Sequence, residues 1–175
     1  NLNLNNPLYA TLPIPLPINV GTINGGTWPS SVPDLITMEG RIGVGPEETI
    51  DSAKQSMQNC MDSLVAIDEW FSTHPVALEF YGAQWLPNSV DYNHQFVKLV
   101  QENFNHLFDS PIKIEASPWG TDAGVLGLVG GIPAIVIGPG ETKVAHYPNE
   151  YIELNEIIKA SKLFALTIIK WCEIA

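Results

Sequence analysis

Apolar and polar positions change rhythm several times along the chain. INVGTINGGT, from Ile18 to Thr27, alternates weakly and ends on Gly25-Gly26. VPDLITMEGRIGV, from Val32 to Val44, sets Ile36, Met38 and Ile42 against Leu35, Thr37, Glu39 and Arg41. Two alternating runs separated by a Gly, Trp, Pro and Ser segment predict an antiparallel strand pair with a longer loop. Gly45-Pro46-Glu47-Glu48 then predicts a helix start, with Pro at the first helical position and two acids at the positive end of the dipole. Apolar residues from Ile50 through Met57, Met61, Leu64 and Ile67 carry that helix to about Phe71, and Pro75 stops it. Val76–Tyr81 reads as a short strand, giving β-β-α-β.

After Pro87 the pattern changes. Asn88–Asp109 is predicted as an amphipathic helix with Phe96, Val100, Phe104 and Leu107 or Phe108 on one face. Ile112–Glu115 reads as a short strand and Ala123–Val129 as a short helix. Ile132–Ile137 is a continuous apolar run bounded by Gly and Pro, as expected of a strand buried on both sheet faces. Leu154–Cys172 closes the chain as a helix with Ile157, Ser161, Phe164, Ile168 and Trp171 toward the core. Alternating strands and helices predict a parallel α/β layer. The shift in composition at Trp85–Asn88 divides the chain into residues 1–86 and 87–175. The proline-punctuated opening, NLNLNNPLYATLPIPLP, has no initiating Met and reads as a loop entered from an earlier part of a longer protein. No internal repeat or low-complexity tract interrupts this reading.

Composition narrows the class. Of 175 residues 45% are hydrophobic and 15% charged, which excludes a disordered chain. No apolar run approaches the ~18 residues that span a bilayer, and no basic segment leads into an apolar core at the start, so a soluble, cytoplasmic protein is expected. Nineteen acids against eight bases leave a net charge of −11, and Arg41 is the sole arginine. Phosphate binding needs clustered Lys and Arg, so neither nucleic acid nor an anionic membrane is an expected partner. Cys60 and Cys172 lie in apolar helical contexts and are expected as buried thiols.

The chemistry concentrates in WGTDAGVLGLVGGIPAIVIGPGETKVAHYPNE, Trp119–Glu150. In open α/β sheets ligands bind outside the carboxyl ends of parallel strands, which would bring Thr121-Asp122 and Gly138–His146 to one edge. Each piece also has a plain structural reading. Thr121-Asp122 is a good helix N-cap pair, Gly138-Pro139-Gly140 makes a turn, and Glu47-Glu48 compensates a dipole. His74, His94 and His106 sit at helix ends or faces and read as structural. No Walker A, no G-x-G-x-x-G, no His-x-Asp, no His-Glu-x-x-His and no Cys-x-x-Cys occurs.

In order, however, INGG, Val32-Pro33-Asp34, Arg41, Pro46-Glu47-Glu48-Thr49, GTDA, a Gly-Ile-Pro run, GPG and AHYPNE form a distinctive series. From about Pro17 onward the chain resembles the C-terminal portion of the dinuclear-zinc amidohydrolases and exopeptidases that include acetylornithine deacetylase, succinyl-diaminopimelate desuccinylase, aminoacylase and carboxypeptidase G. The resemblance implies an α/β fold in two parts. Residues 1–86 would be the end of a lid and dimerisation domain, its β-β-α-β elements, and residues 87–175 the C-terminal part of the zinc-hydrolase catalytic domain. It implies a metal ligand at His146, with Glu150 as a carboxylate partner for the ring's free nitrogen. Arg41 would clamp a substrate carboxylate through its planar guanidinium, against the plainer reading of a cross-strand ion pair with a Glu. Gly120 and Thr121 would hold the other side of the substrate, Gly138 and Gly140 would line the same cleft, and Asp122 would support the site.

The resemblance also has gaps. Ala123-Gly124 stands where some relatives carry an Arg, Ser31 where an Asn is common, and the Pro33-to-Arg41 spacing is two residues short. The family's His-x-Asp, bridging Asp, Glu-Glu pair and further acidic ligand have no counterpart in this sequence. No general base or other catalytic residue is therefore expected within it, and one His cannot hold two zinc ions. The implied cofactor is zinc, two ions in the full-length parent, with cobalt or manganese as alternatives. The implied function is zinc-dependent removal of an acyl group from an N-acyl amino acid, the chain alone being inert. Expected partners are that substrate or a small peptide, the N-terminal portion of the same protein, and a second copy joined through the lid. The alternatives are a metallo-carboxypeptidase or dipeptidase of the same family, and a non-catalytic dimerisation or binding module.

Overall fold

The computed structural model describes residues 7–173, which fall into two compact units. The first contains the chain up to Pro87 together with Glu115–Val125; the second contains Asn88–Ile114 and the chain from Leu126 onward. Of the opening stretch, residues 1–6 lie outside the described part, and Pro7–Tyr9 forms a single 3-10 turn.

The first unit is built on an antiparallel pair, β1 (Ile18–Gly25) and β2 (Ile36–Ile42). Ile18 faces Ile42, Asn19 faces Arg41 and Ile23 faces Met38, with an irregularity between Val20 and Thr22. That extra residue, Gly21, keeps the two faces chemically distinct. It leaves Ile18, Val20 and Ile23 across from Ile42, Gly40 and Met38, and Asn19, Thr22 and Asn24 across from Arg41, Glu39 and Thr37. A Cβ on Gly40 would collide with the Asn19 carbonyl oxygen, so the close approach of the strands requires glycine there.

Helix α1 spans Ile50–Asp62 and starts later than Pro46. The Thr49 hydroxyl accepts from the Ser52 N–H at 3.0 Å and the Ser52 hydroxyl from the Thr49 N–H at 3.0 Å, a reciprocal capping box worth ~1 kcal/mol at its N-cap. Gly45–Glu48 is a turn before the helix, closed by the Glu48 carboxylate on the Gly45 N–H at 3.0 Å. Nor does the helix reach Phe71. It gives way to 3-10 turns at Ser63–Ala66 and Glu69–Ser72, separated where Asp68 is extended and its carboxylate caps the Trp70 N–H at 2.9 Å. Val76–Tyr81 forms no ladder among the described residues, so the expected third strand of the β-β-α-β series is absent and the sheet has two strands.

In the second unit α2 (Gln95–Phe108) packs on α3 (Leu154–Trp171). The His94 ring accepts the Phe96 N–H at 3.1 Å as N-cap of α2, and Asp109, at φ 48°, ends it in the left-handed region. Asn88–Asn93 is therefore outside the helix. Val97, Val100 and Asn103 on α2 and Leu163 and Thr167 on α3 are buried. Asn103 is fully enclosed and donates to the Thr167 hydroxyl at 3.2 Å, while its own carbonyl oxygen has no partner among the described residues. Phe96 meets the Trp171 ring edge-on at 5.0 Å.

Two expectations fail here. Neither Ile112–Glu115 nor Ile132–Ile137 is a paired strand, so no parallel layer forms among the described residues. Ile132, Pro133, Ile135 and Ile137 instead line an apolar cavity of about 430 Å³ with Phe164, Ile168 and Trp171. Three of the α3 residues expected in the core, Phe164, Ile168 and Trp171, thus border this opening, and with Ile157 they are each at least 40% exposed. Cys60 and Cys172 are exposed free thiols rather than buried ones. Among the described residues no helix is long and apolar enough to cross a membrane.

Candidate functional site

The residues singled out in the sequence divide between the two units. Arg41, Gly120, Thr121 and Asp122 belong to the first; Gly138, Gly140, His146 and Glu150 belong to the second.

Arg41 projects from the polar face of β2 opposite Asn19 and is exposed. It makes no hydrogen bond or ion pair among the described residues, which removes the cross-strand ion pair with a Glu as its explanation. The nearest acid along the strand on that face, Glu39, is engaged elsewhere. One carboxylate oxygen accepts the Tyr81 hydroxyl at 2.7 Å and the other the Thr22 hydroxyl at 3.2 Å. The hydrogen bond to Glu39, assisted by desolvation and the charges of Glu39 and Glu79, raises the Tyr81 hydroxyl above the ordinary tyrosine range. This group escaped the sequence reading. Strand alternation puts Glu39 and Arg41 on one face, but nothing local announces that Tyr81 reaches Glu39.

Also in the first unit, Gly120 lies against Trp85, whose ring atoms a Cβ would meet at 2.6 Å. The Thr121 hydroxyl accepts the Ala123 N–H at 3.3 Å and the Asp122 carbonyl accepts the Val125 N–H at 3.0 Å. Thr121 therefore caps the turn that leads into the π-helical stretch Val125–Val129, Asp122 stands exposed, and Ala123 and Gly124 are buried.

In the second unit a Cβ added at Gly138 would enter open space, and Gly140, at φ 95°, turns the chain into the 3-10 turn Thr142–Val144. His146 follows with φ 64° and Asn149 with φ 62°. A histidine in the left-handed region is strained by ~1–2 kcal/mol. It is held there by the Tyr147 N–H to Val144 carbonyl bond at 3.2 Å and by the Glu150 carboxylate, which accepts the His146 backbone N–H at 3.1 Å. Glu150 thus anchors the main chain of His146, where the resemblance implied a contact to its ring. The imidazole is exposed and without a partner among the described residues, an arrangement that suits a donor for a metal ion. One donor is not a site, and no three His, Cys, Asp or Glu side chains gather into a metal-binding cluster among the described residues. Of the other histidines, His94 caps α2 and His74 stacks on Trp70 at 4.1 Å.

The family model for peptidase family M20/M25/M40 matches residues 18–170. Two curated relatives are both N-formyl-4-amino-5-aminomethyl-2-methylpyrimidine deformylases. The Halalkalibacterium halodurans protein is 26% identical over 165 residues, and the Bacillus subtilis protein 24% identical over 163 residues. The matches cover 90% and 89% of this chain but 38% of each relative.

Proposed function

The chain belongs to peptidase family M20/M25/M40, and from that premise we propose that it is the lid-and-closing portion of a metal-dependent amide hydrolase. The observation that carries the proposal is His146: an exposed imidazole on a left-handed backbone that Glu150 anchors, inside the matched region. Strained residues persist where a structure over-determines them, and they cluster at functional sites. His146 would hold one zinc ion together with ligands from the part of its relatives' length that this chain does not span, cobalt or manganese being alternatives. Bound zinc supplies electrophilic activation of an amide carbonyl. The residues of this chain would then present one neutral imidazole and orient the substrate.

The substrate class we assign is a small N-acyl amino acid, cleaved to a free amine and a carboxylate. Arg41, without a partner among the described residues on a polar strand face, supports this, since a guanidinium fork matches a carboxylate. Gly120 and Thr121, in the same unit as Arg41, would add backbone and hydroxyl contacts to that ligand. A second reading is a formamide of a small heteroaromatic amine, favoured by the names of both relatives. The lid portion would pair with a second copy. The test is an amine-release assay on a full-length protein that contains this sequence. It would be offered an N-acetyl amino acid, an N-succinyl amino acid, a dipeptide and an N-formyl aminomethylpyrimidine. Turnover of the first two supports the N-acyl amino acid reading and turnover of the last the second. No amine from any of them, with metal bound, overturns both.

A further inference from the structure

We propose that Tyr81 and Thr22 are positioning residues that keep Glu39 away from Arg41, so that the chain's only guanidinium stays available to a ligand carboxylate. The inference rests on the reading of Arg41 as a carboxylate clamp and adds residues to it. Glu39 and Arg41 are two apart on β2, so their side chains leave the same face about 6.6 Å apart along the strand. Two long side chains of opposite charge at that spacing can reach one another and pair. Here both carboxylate oxygens of Glu39 are taken, one by the Tyr81 hydroxyl at 2.7 Å and one by the Thr22 hydroxyl at 3.2 Å. Arg41 faces Asn19, a neutral amide, across the strands. The raised Tyr81 hydroxyl supports the same picture, since its proton is held by Glu39. The arrangement keeps an acid beside the clamp, where it would repel a misplaced anion, yet prevents it from quenching the clamp.

Because the chain has a single arginine, its Nε–Hε group gives one nuclear magnetic resonance signal that needs no assignment. The experiment follows that signal in the 175-residue chain while N-acetylglycine is added, with chloride as the control for ionic strength. In the wild type we expect a saturable shift. In Tyr81→Phe the signal should start from a changed position, as Glu39 turns to Arg41, and the carboxylate should bind about two- to fivefold more weakly, the size of a competing exposed ion pair. Adding Glu39→Gln to Tyr81→Phe should restore wild-type affinity. If Tyr81→Phe leaves both the signal and the titration unchanged while the wild type binds, the positioning role is wrong and the clamp stands. If the wild type shows no saturable shift while Tyr81→Phe still moves the signal, Glu39 is sequestered as described but Arg41 is no clamp, and the proposal falls with the reading beneath it.

Discussion

At His146 the backbone and the side chain make opposite demands. A φ of 64° suits glycine, whereas the metal-ligand role proposed for this residue needs the imidazole. His146→Gly should relieve ~1–2 kcal/mol of left-handed strain against ~0.5–1 kcal/mol of added chain entropy, so urea denaturation should show it equal to or slightly more stable than wild type. In the full-length protein the same change should abolish bound metal and turnover together. Glu150→Gln should be milder, reducing metal content or activity by roughly 10–100-fold, because it loosens the anchor and leaves the ring. Metal analysis beside kinetics would separate the two. Tyr81 gives a residue-scale prediction in pH. Its folded hydroxyl is raised, so the stability from its bond to Glu39 is complete below the ordinary tyrosine value of 10.0 and is lost as pH rises through the folded value. Following the ring carbon resonance of Tyr81 should show a raised titration that Glu39→Gln brings back down; an unchanged titration in that variant would remove Glu39 as the cause.

Among the elements, helices were more legible than strands, for a physical reason. A helix closes its hydrogen bonds within its own sequence, and α3 follows the apolar period almost from end to end. Where a helix boundary was misplaced, a side chain had intervened: Thr49 and His94 cap the chain after the first plausible starts, and Asp68 breaks the run toward Phe71. A strand needs a neighbour, and the apolar pattern of Ile132–Ile137 says nothing about whether one is there. The β1–β2 pair was legible because both partners lie within one short stretch. The candidate site divides in a similar way: Thr121 carried a local capping signal, and His146 and Arg41 stood out only through the order of the motifs around them. The contact of Tyr81 with Glu39, 42 residues away, came from tertiary placement, and the bond of Glu150 to the His146 main chain from a turn four residues long. Between α2 and α3 the prediction concerns Asn103 and Thr167. Thr167→Val should cost ~1–3 kcal/mol by leaving the enclosed Asn103 amide without any partner. The double change Asn103→Leu, Thr167→Val should recover most of it, as seen by denaturation midpoint at constant m-value. A double variant as weak as the single one would show that packing, and not the amide, sets the cost.

For the whole molecule, the apolar face of the β1–β2 pair is the feature with the largest consequence for solution behaviour. Ile18, Val20, Ile23, Ile36 and Met38 are each more than half exposed, a patch that favours association. Sedimentation of the chain should show a concentration-dependent oligomer that the pair Ile23→Lys and Met38→Lys reduces to monomer; an oligomer indifferent to those charges would move the contact elsewhere. The division into units has a different implication, one of threading. The backbone passes from one unit to the other after Pro87, again after Ile114 and once more after Val125. Neither unit is therefore a single length of polypeptide, and severing the chain at any one of those crossings would not liberate either. A gene encoding only residues 1–87 would lack Glu115–Val125, the strip that brings Gly120 against Trp85. Swapping either unit between relatives would mean splicing at several points, so the two are best exchanged, inherited and engineered as one piece.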